Sequence, residues 1–225
     1  DLGIQVKTGV TVGENPSIRD LREEYDAVYI AIGAHTDRKI GIEGEDAQGV
    51  ISAVEMLRGI GDGEMPDYTG KEIVVIGGGN VAMDVARSAI RLGAKRLRIA
   101  YRRRAVDMTA MPEEVEGAVQ EGCELLDLHA PLRIEKDAEG KVAALWVKPQ
   151  IIGPVKNGRP VPVDSLQAPV RLSCDMVIVA VGQGIESKAF EQQGIPVKRG
   201  VIDALSWSGI NTKDLTGIFA GGDCV

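Results

Sequence analysis

Gly77-Gly78-Gly79-Asn80-Val81-Ala82 carries the clearest chemical signal in the chain. It has the form G-x-G-x-x-A, and it stands between a strand-like run, Glu72-Ile73-Val74-Val75-Ile76, and a helical pattern that closes at Gly93. Strand, glycine turn and helix in that order are the context in which the motif reads as a dinucleotide-binding fingerprint. Gly77 permits the tight turn, Gly79 removes a side chain so that backbone N–H groups can reach a pyrophosphate, and Ala82 lets helix and strand pack closely. The helix N-terminus adds partial positive charge and free N–H donors, while Asn80 and Val81 contribute mainly backbone. The competing reading is a plain strand–turn–helix connection made of small residues.

About 20 residues past the last small residue, NAD-binding domains place an Asp or Glu on the ribose 2′-hydroxyl. Here the count from Ala82 reaches Tyr101-Arg102-Arg103-Arg104, which holds no carboxylate. Guanidinium forks match a 2′-phosphate, so the position favours NADP(H) over NAD(H), with Arg102 and Arg103 as the phosphate contacts. Arg91, Lys95, Arg96 and Arg98 extend this basic stretch, which contains no acid. Most of it reads as a solvated face. A nucleic-acid patch is the further alternative, and the net charge of −7 speaks against it for the chain as a whole.

These residues need elements to hold them. Strand 72–76, helix 80–92 and strand 96–101 make a βαβ unit with a parallel pair. Three further apolar strands end in glycine: Tyr25 to Ala34 at Gly33, Cys174 to Val181 at Gly182, and Gly217 to Ala220 at Gly221-Gly222-Asp223. Ligands of open α/β folds sit at such carboxyl ends. Asp223 is equally well read as a flavin ribityl contact or as a turn residue. Residues 2–12 alternate weakly and predict a strand around Ile4-Gln5-Val6, and residues 14–24 predict one short helix. Ser52-Ala53-Val54-Glu55 fits a capping box opening a helix to about Ile60. Gly61 to Gly70 reads as a linker and a domain boundary. Pro112-Glu113-Glu114 opens another helix, and residues 124–174 read as short strands with turns at Glu139-Gly140 and Asn157-Gly158. A short helix is expected over Ser187 to Gln193.

The 225 residues are 44% hydrophobic and 26% charged, an ordinary globular balance with room for one or two domains. The 28 glycines exceed the roughly 16 of average usage, and they cluster at the ends of apolar runs. The longest core-like run, Met176 to Val181, falls far short of the about 20 residues a membrane span needs. Cys123, Cys174 and Cys224 form no C-x-x-C, which disfavours a disulfide scaffold, a metal site or an iron–sulfur cluster within the chain and fits the cytoplasm. The isolated His35 and His129 read as structural. No tyrosine is followed four residues later by a lysine, which disfavours a short-chain dehydrogenase. The start at Asp1 and the finish at Val225, just past a strand, read as a piece of a longer polypeptide.

Taken in order, Tyr25 to Ala34, Gly77 to Asp84, Tyr101-Arg102-Arg103 with Met111-Pro112, and Gly217 to Asp223 resemble the flavin- and NADPH-binding region of glutamate synthase small (β) subunits. Those are flavoproteins of the pyridine nucleotide-disulfide oxidoreductase type, with dihydropyrimidine dehydrogenase and ferredoxin–NADP-type transhydrogenases among their relatives. The resemblance implies an α/β fold: a Rossmann-like three-layer NADPH-binding domain with a β-meander over residues 66–185. It would be inserted in a partial FAD-binding Rossmann-like domain made of residues 1–65 and 186–225. It implies hydride transfer from NADPH to FAD and then to iron–sulfur clusters outside this chain. The partners would be an iron–sulfur domain or subunit and an electron-accepting large subunit. Gly33, Gly222 and Asp223 would lie near FAD, and Gly182 and Gln183 near the nicotinamide side of NADPH. The family's first FAD fingerprint and its cysteine-rich segment have no match here, so the chain is expected to bind NADPH, to hold FAD poorly and to be inactive alone. Such hydride transfer depends on stacking and orientation more than on acid–base groups, so no catalytic side chain is expected. A dinucleotide-binding module without turnover is the alternative.

Overall fold

A computed structural model of the chain describes residues 3–13, 15–156, 158–205, 209–210 and 215–225. The chain folds as two units, Asp1–Thr36 with Gly184–Val225, and Asp37–Gln183.

The first unit opens with α1, Ile18–Glu24. Its start is a local sequence feature: Ser17 Oγ accepts the Asp20 N–H at 3.1 Å while the Asp20 carboxylate accepts the Ser17 N–H at 2.9 Å. β1, Val28–Ile30, follows. The second unit then runs β2 Val50–Ser52, α2 Ala53–Gly61, β3 Glu72–Ile76, α3 Asn80–Arg91, β4 Arg96–Ala100, α4 Pro112–Gln120 and β5 Glu124–Leu126. An antiparallel run comes next: β6 His129–Lys136, β7 Val142–Lys156, β8 Arg159–Asp164 and β9 Val170–Ser173. β10, Met176–Val179, returns to the parallel sheet. α5, Lys188–Glu191, and β11, Ile218–Ala220, belong to the first unit, where β11 pairs in parallel with β1.

The second unit has three layers. Its middle is a five-stranded sheet in the order β2-β10-β3-β4-β5, parallel throughout. The alternation of a strand's two faces sorts the residues of β3. Ile73 and Val75 pack with Met56 of α2, Met83, Val85 and Ala89 of α3, and Ala118 of α4. Val74 and Ile76 point the other way, onto Ile134, Val142, Leu145, Val147 and Leu172 of the antiparallel layer. Both faces of β3 are therefore sealed, and each such aliphatic side chain contributes about 1.5–3 kcal/mol by burial. The antiparallel layer has the order β9-β7-β6, with β8 paired to β7. It is the expected meander, but built on two long strands, β6 and β7, rather than short ones. The first unit has its own small core of Ile18, Ile30, Ile185, Ile195, Ile202, Ile218, Ala220 and Cys224.

Three sequence expectations are corrected. The glycine-rich stretch 61–70 is not a unit boundary but a connection inside the second unit, which begins at Asp37 and ends at Gln183 instead of spanning 66–185. Residues 37–65 belong with it because β2 pairs with β10, Val50 opposite Val177, and Leu57 and Ile60 pack into the helical-face core. The segment around Ile4 and Val6 forms no strand and both side chains are exposed, and among the described residues no strand pairs with it. The run from Tyr25 to Ala34 yields only the three-residue β1, with Tyr29 exposed at 62%. The turn foreseen at Asn157-Gly158 falls partly outside the described residues. Among the described residues no helix is long and apolar enough to cross a membrane.

Candidate functional site

The fingerprint glycines sit where β3, β4 and β10 end together. Gly77 donates its N–H to Ala100 O at 3.2 Å, and a Cβ there would run into the carbonyl of Ala180. Gly78 lies against the ring of Tyr101, and its carbonyl accepts the N–H groups of Thr109 and Ala110 at 3.0 and 3.1 Å. Gly79 is the N-cap of α3. It offers no side-chain cap, and the first turn of α3 carries no acid. Among the described residues the N–H groups of Gly79, Asn80 and Val81 have no hydrogen-bond partner, so three donors at the positive end of a helix dipole stand free. Asn80 uses its side chain elsewhere: Oδ1 accepts the Met111 N–H at 2.9 Å and so fastens the start of α4. Ala82 has no exposure and acts purely by letting α3 lie close to the sheet.

A cavity of about 680 Å³ opens at these strand ends. That size suits a small-molecule or cofactor site. Gly77, Gly78, Gly79, Asn80, Val81, Arg102, Arg103, Gly182 and Gln183 all line it, so the structure brings together every predicted residue of this unit except the underlying Ala82. Sequence reasoning missed Asp37, Lys39, Thr109 and Arg159, which also line it. Arg159 follows a hairpin turn and Lys39 lies in a loop, positions that locally look like ordinary surface charges.

The cations differ in how they are engaged. Arg102 is exposed and has no hydrogen-bond partner among the described residues. Arg103 donates Nε–H to Pro160 O at 3.4 Å. Arg104 is occupied by a two-pronged pair with the Asp107 carboxylate at 2.7 and 2.9 Å, and this guanidinium holds Asp107 below the usual carboxylate range. Arg159 donates Nη2–H to the Asp107 carbonyl at 3.1 Å, the same oxygen that accepts the Tyr101 hydroxyl at 2.9 Å. The wall thus carries Lys39, Arg102, Arg103 and Arg159 against one carboxylate among the described residues, Asp37, which accepts a hydrogen bond from Ser52 Oγ. A cradle with free N–H donors, stripped of side chains at its glycines and lined by four cations, fits a multiply phosphorylated dinucleotide.

The first unit contains a separate cavity of about 670 Å³, lined by residues that include Tyr29, Lys198, Arg199 and Gly222. Gly33 and Asp223 do not line it. Cys224 is buried in the turn that follows β11, its thiol donating to Gly221 O at 3.2 Å.

A family model described as pyridine nucleotide-disulphide oxidoreductase matches residues 3–225. The chain belongs to the pyridine nucleotide-disulphide oxidoreductase family. It is 35% identical over 230 residues to the β subunit of an NADP(+)-dependent formate dehydrogenase of Moorella thermoacetica, covering 100% of this chain and 32% of that protein. It is 37% identical over 169 residues to the small chain of NADPH glutamate synthase of Escherichia coli, covering 70% of this chain and 36% of that one. The resemblance drawn from the glycine motifs therefore holds. The chain spans about a third of the length of these relatives. Among solved structures, Mycobacterium tuberculosis FprA in complex with NADPH superposes with a TM-score of 0.77 at 22% identity, over 95% of this chain and 61% of that one. This likeness supports the α/β fold.

Proposed function

We propose that residues 37–183 bind NADPH as the electron-entry part of an NADPH-dependent flavin oxidoreductase similar to the glutamate synthase small subunit. In the longer protein, hydride would pass to FAD and electrons onward to iron–sulfur centres outside this chain, with an iron–sulfur domain or subunit and an electron-accepting large subunit as partners in the cytoplasm. The observation that carries the reading is the convergence of free N–H donors at Gly79, Asn80 and Val81 with the unpaired Arg102 and the half-engaged Arg103 on one cavity. The relatives' NADP and NADPH names accord with it.

When bound, the nicotinamide of NADPH supplies a hydride. The residues of this chain bind and orient. The N–H groups of Gly79, Asn80 and Val81 receive the pyrophosphate, and Arg102 and Arg103 receive the 2′-phosphate. Gly182 and Gln183 border the nicotinamide end, where Gly182 has a positive φ of 115°. No side chain is assigned a proton transfer. On the flavin side, Gly222 lines the cavity of about 670 Å³ in the first unit, whereas Gly33 and Asp223 do not line that cavity. The isolated chain is expected to hold FAD poorly.

The test is a titration of NADPH and NADH against the chain and its Arg102→Ala/Arg103→Ala double variant. Two charge-assisted contacts of about 1.5–3 kcal/mol each predict a loss of about a hundredfold or more for NADPH and little change for NADH. Equal losses for both nucleotides would sink the 2′-phosphate assignment. In the full-length protein, flavin absorbance bleached by NADPH separates an oxidoreductase from a binding module without turnover.

A further inference from the structure

We infer that Arg159, at the end of the β7–β8 hairpin, is a specificity-determining contact for the phosphomonoester of the dinucleotide, and that the same hairpin positions Arg103 for that group. The inference rests on the NADP(H) reading and extends it to an element outside the βαβ unit. Three arginines follow Tyr101, but the third does not line the cavity, since Arg104 turns its Nε and Nη2 onto the Asp107 carboxylate. Arg159 stands in for it on the cavity wall. Its one protein hydrogen bond, to the Asp107 carbonyl, leaves the other N–H groups of a five-donor guanidinium without a partner among the described residues. That bond also fixes the group's place, because the same carbonyl holds the Tyr101 hydroxyl beneath Gly78.

The hairpin performs a second task. Lys156 pairs with Arg159 and Val155 with Pro160, so the β7–β8 ladder sets the positions of both residues. The Pro160 carbonyl accepts Arg103 Nε–H at 3.4 Å, which leaves the terminal nitrogens of Arg103 for a ligand. Arg102, Arg103 and Arg159 then reach one cavity from two separate segments, and among the described residues a single carboxylate, Asp37, lines the same wall. Such a surplus of positive charge matches a doubly charged phosphomonoester better than a pyrophosphate already served by the helix N-terminus.

The experiment is isothermal titration of the chain with adenosine 2′,5′-bisphosphate and with 5′-AMP, for the unmodified chain and for Arg159→Ala and Arg159→Lys. The inference expects Arg159→Ala to weaken the bisphosphate about tenfold or more while AMP stays within about twofold, with Arg159→Lys recovering most of the loss. Its salt dependence for the bisphosphate should flatten as well. Bisphosphate binding within about twofold of the unmodified chain, or equal losses for both probes, overturns it. So does a Lys variant as weak as Ala with a lowered thermal midpoint in both, which assigns Arg159 to tethering Asp107. An unmodified chain that does not prefer the bisphosphate to AMP overturns the NADP(H) reading itself, and this inference with it.

Discussion

Replacing Gly78 with alanine tests the packing that shapes the glycine turn between β3 and α3. A Cβ at position 78 would stand 2.5 Å from both Cδ2 and Cε2 of Tyr101 and 3.0 Å from Cγ. Carbon atoms in contact prefer about 3.5–4.0 Å, so the two must separate by roughly 1 Å. Neither side is free to move. Tyr101 is buried, its hydroxyl donates to Asp107 O at 2.9 Å, and its backbone N–H and C=O are held by Leu126 and His129 at 2.9 Å each. Gly78 is held through its carbonyl by Thr109 and Ala110. Overpacking costs about 1–3 kcal/mol, and detaching the tyrosine hydroxyl adds about 0.5–1.5 kcal/mol, so Gly78→Ala should destabilise by about 2–4 kcal/mol. Urea unfolding followed by circular dichroism measures this, and a double-mutant cycle with Tyr101→Ala isolates the clash. With the ring gone, most of the cost should vanish, a coupling of about 1.5 kcal/mol or more. A loss below about 0.5 kcal/mol, or simple additivity with Tyr101→Ala, would refute the argument.

Two further outcomes are expected. The Arg171 guanidinium, and after it the Trp146 indole N–H, push the Glu135 carboxyl from its ordinary 4.5 down to about 2. A carboxyl lowered in the folded state stabilises above its unfolded value and loses that contribution as pH falls from about 4.5 through 2. Glu135→Gln should therefore be less stable than the unmodified chain at neutral pH and converge with it near pH 2, as measured by urea midpoints across that range; parallel profiles would contradict the pairing. Burial pushes the Cys123 and Cys174 thiols up to about 11, so both should resist iodoacetamide at pH 8 in the folded chain and react in urea. Mass spectrometry reads the labelling, and modification of either in the folded state would count against its burial.

Much of the second unit was legible because its signals are local. A strand end, a glycine turn and a helix start lie within about ten consecutive residues around Gly77, and the physics that joins them acts over that distance. The positive φ angles of Gly93 and Gly122, just past α3 and α4, are equally local, since a helix stop needs a residue that tolerates the left-handed region. The extent of β1 was less legible. An apolar run from Tyr25 to Ala34 resembles a buried strand, yet only Val28–Ile30 finds a pairing partner, in β11. Hydrophobic pattern reports the tendency to extend, whereas strand length is set by the neighbour that accepts the hydrogen bonds.

The amino-acid sequence by itself determined the glycine turn at the start of a helix and the arginines that follow the second strand, because spacing along one βαβ unit dictates both. Only the tertiary structure decided which arginines face the cavity. Arg104 turns away to Asp107, and Arg159 arrives from a hairpin whose strands pair across the antiparallel layer. It also decided where the unit begins, through a strand at Val50 that pairs with Val177. Both outcomes depend on contacts between residues far apart in the chain, and a periodicity read along the chain has no term for a partner that only folding brings near.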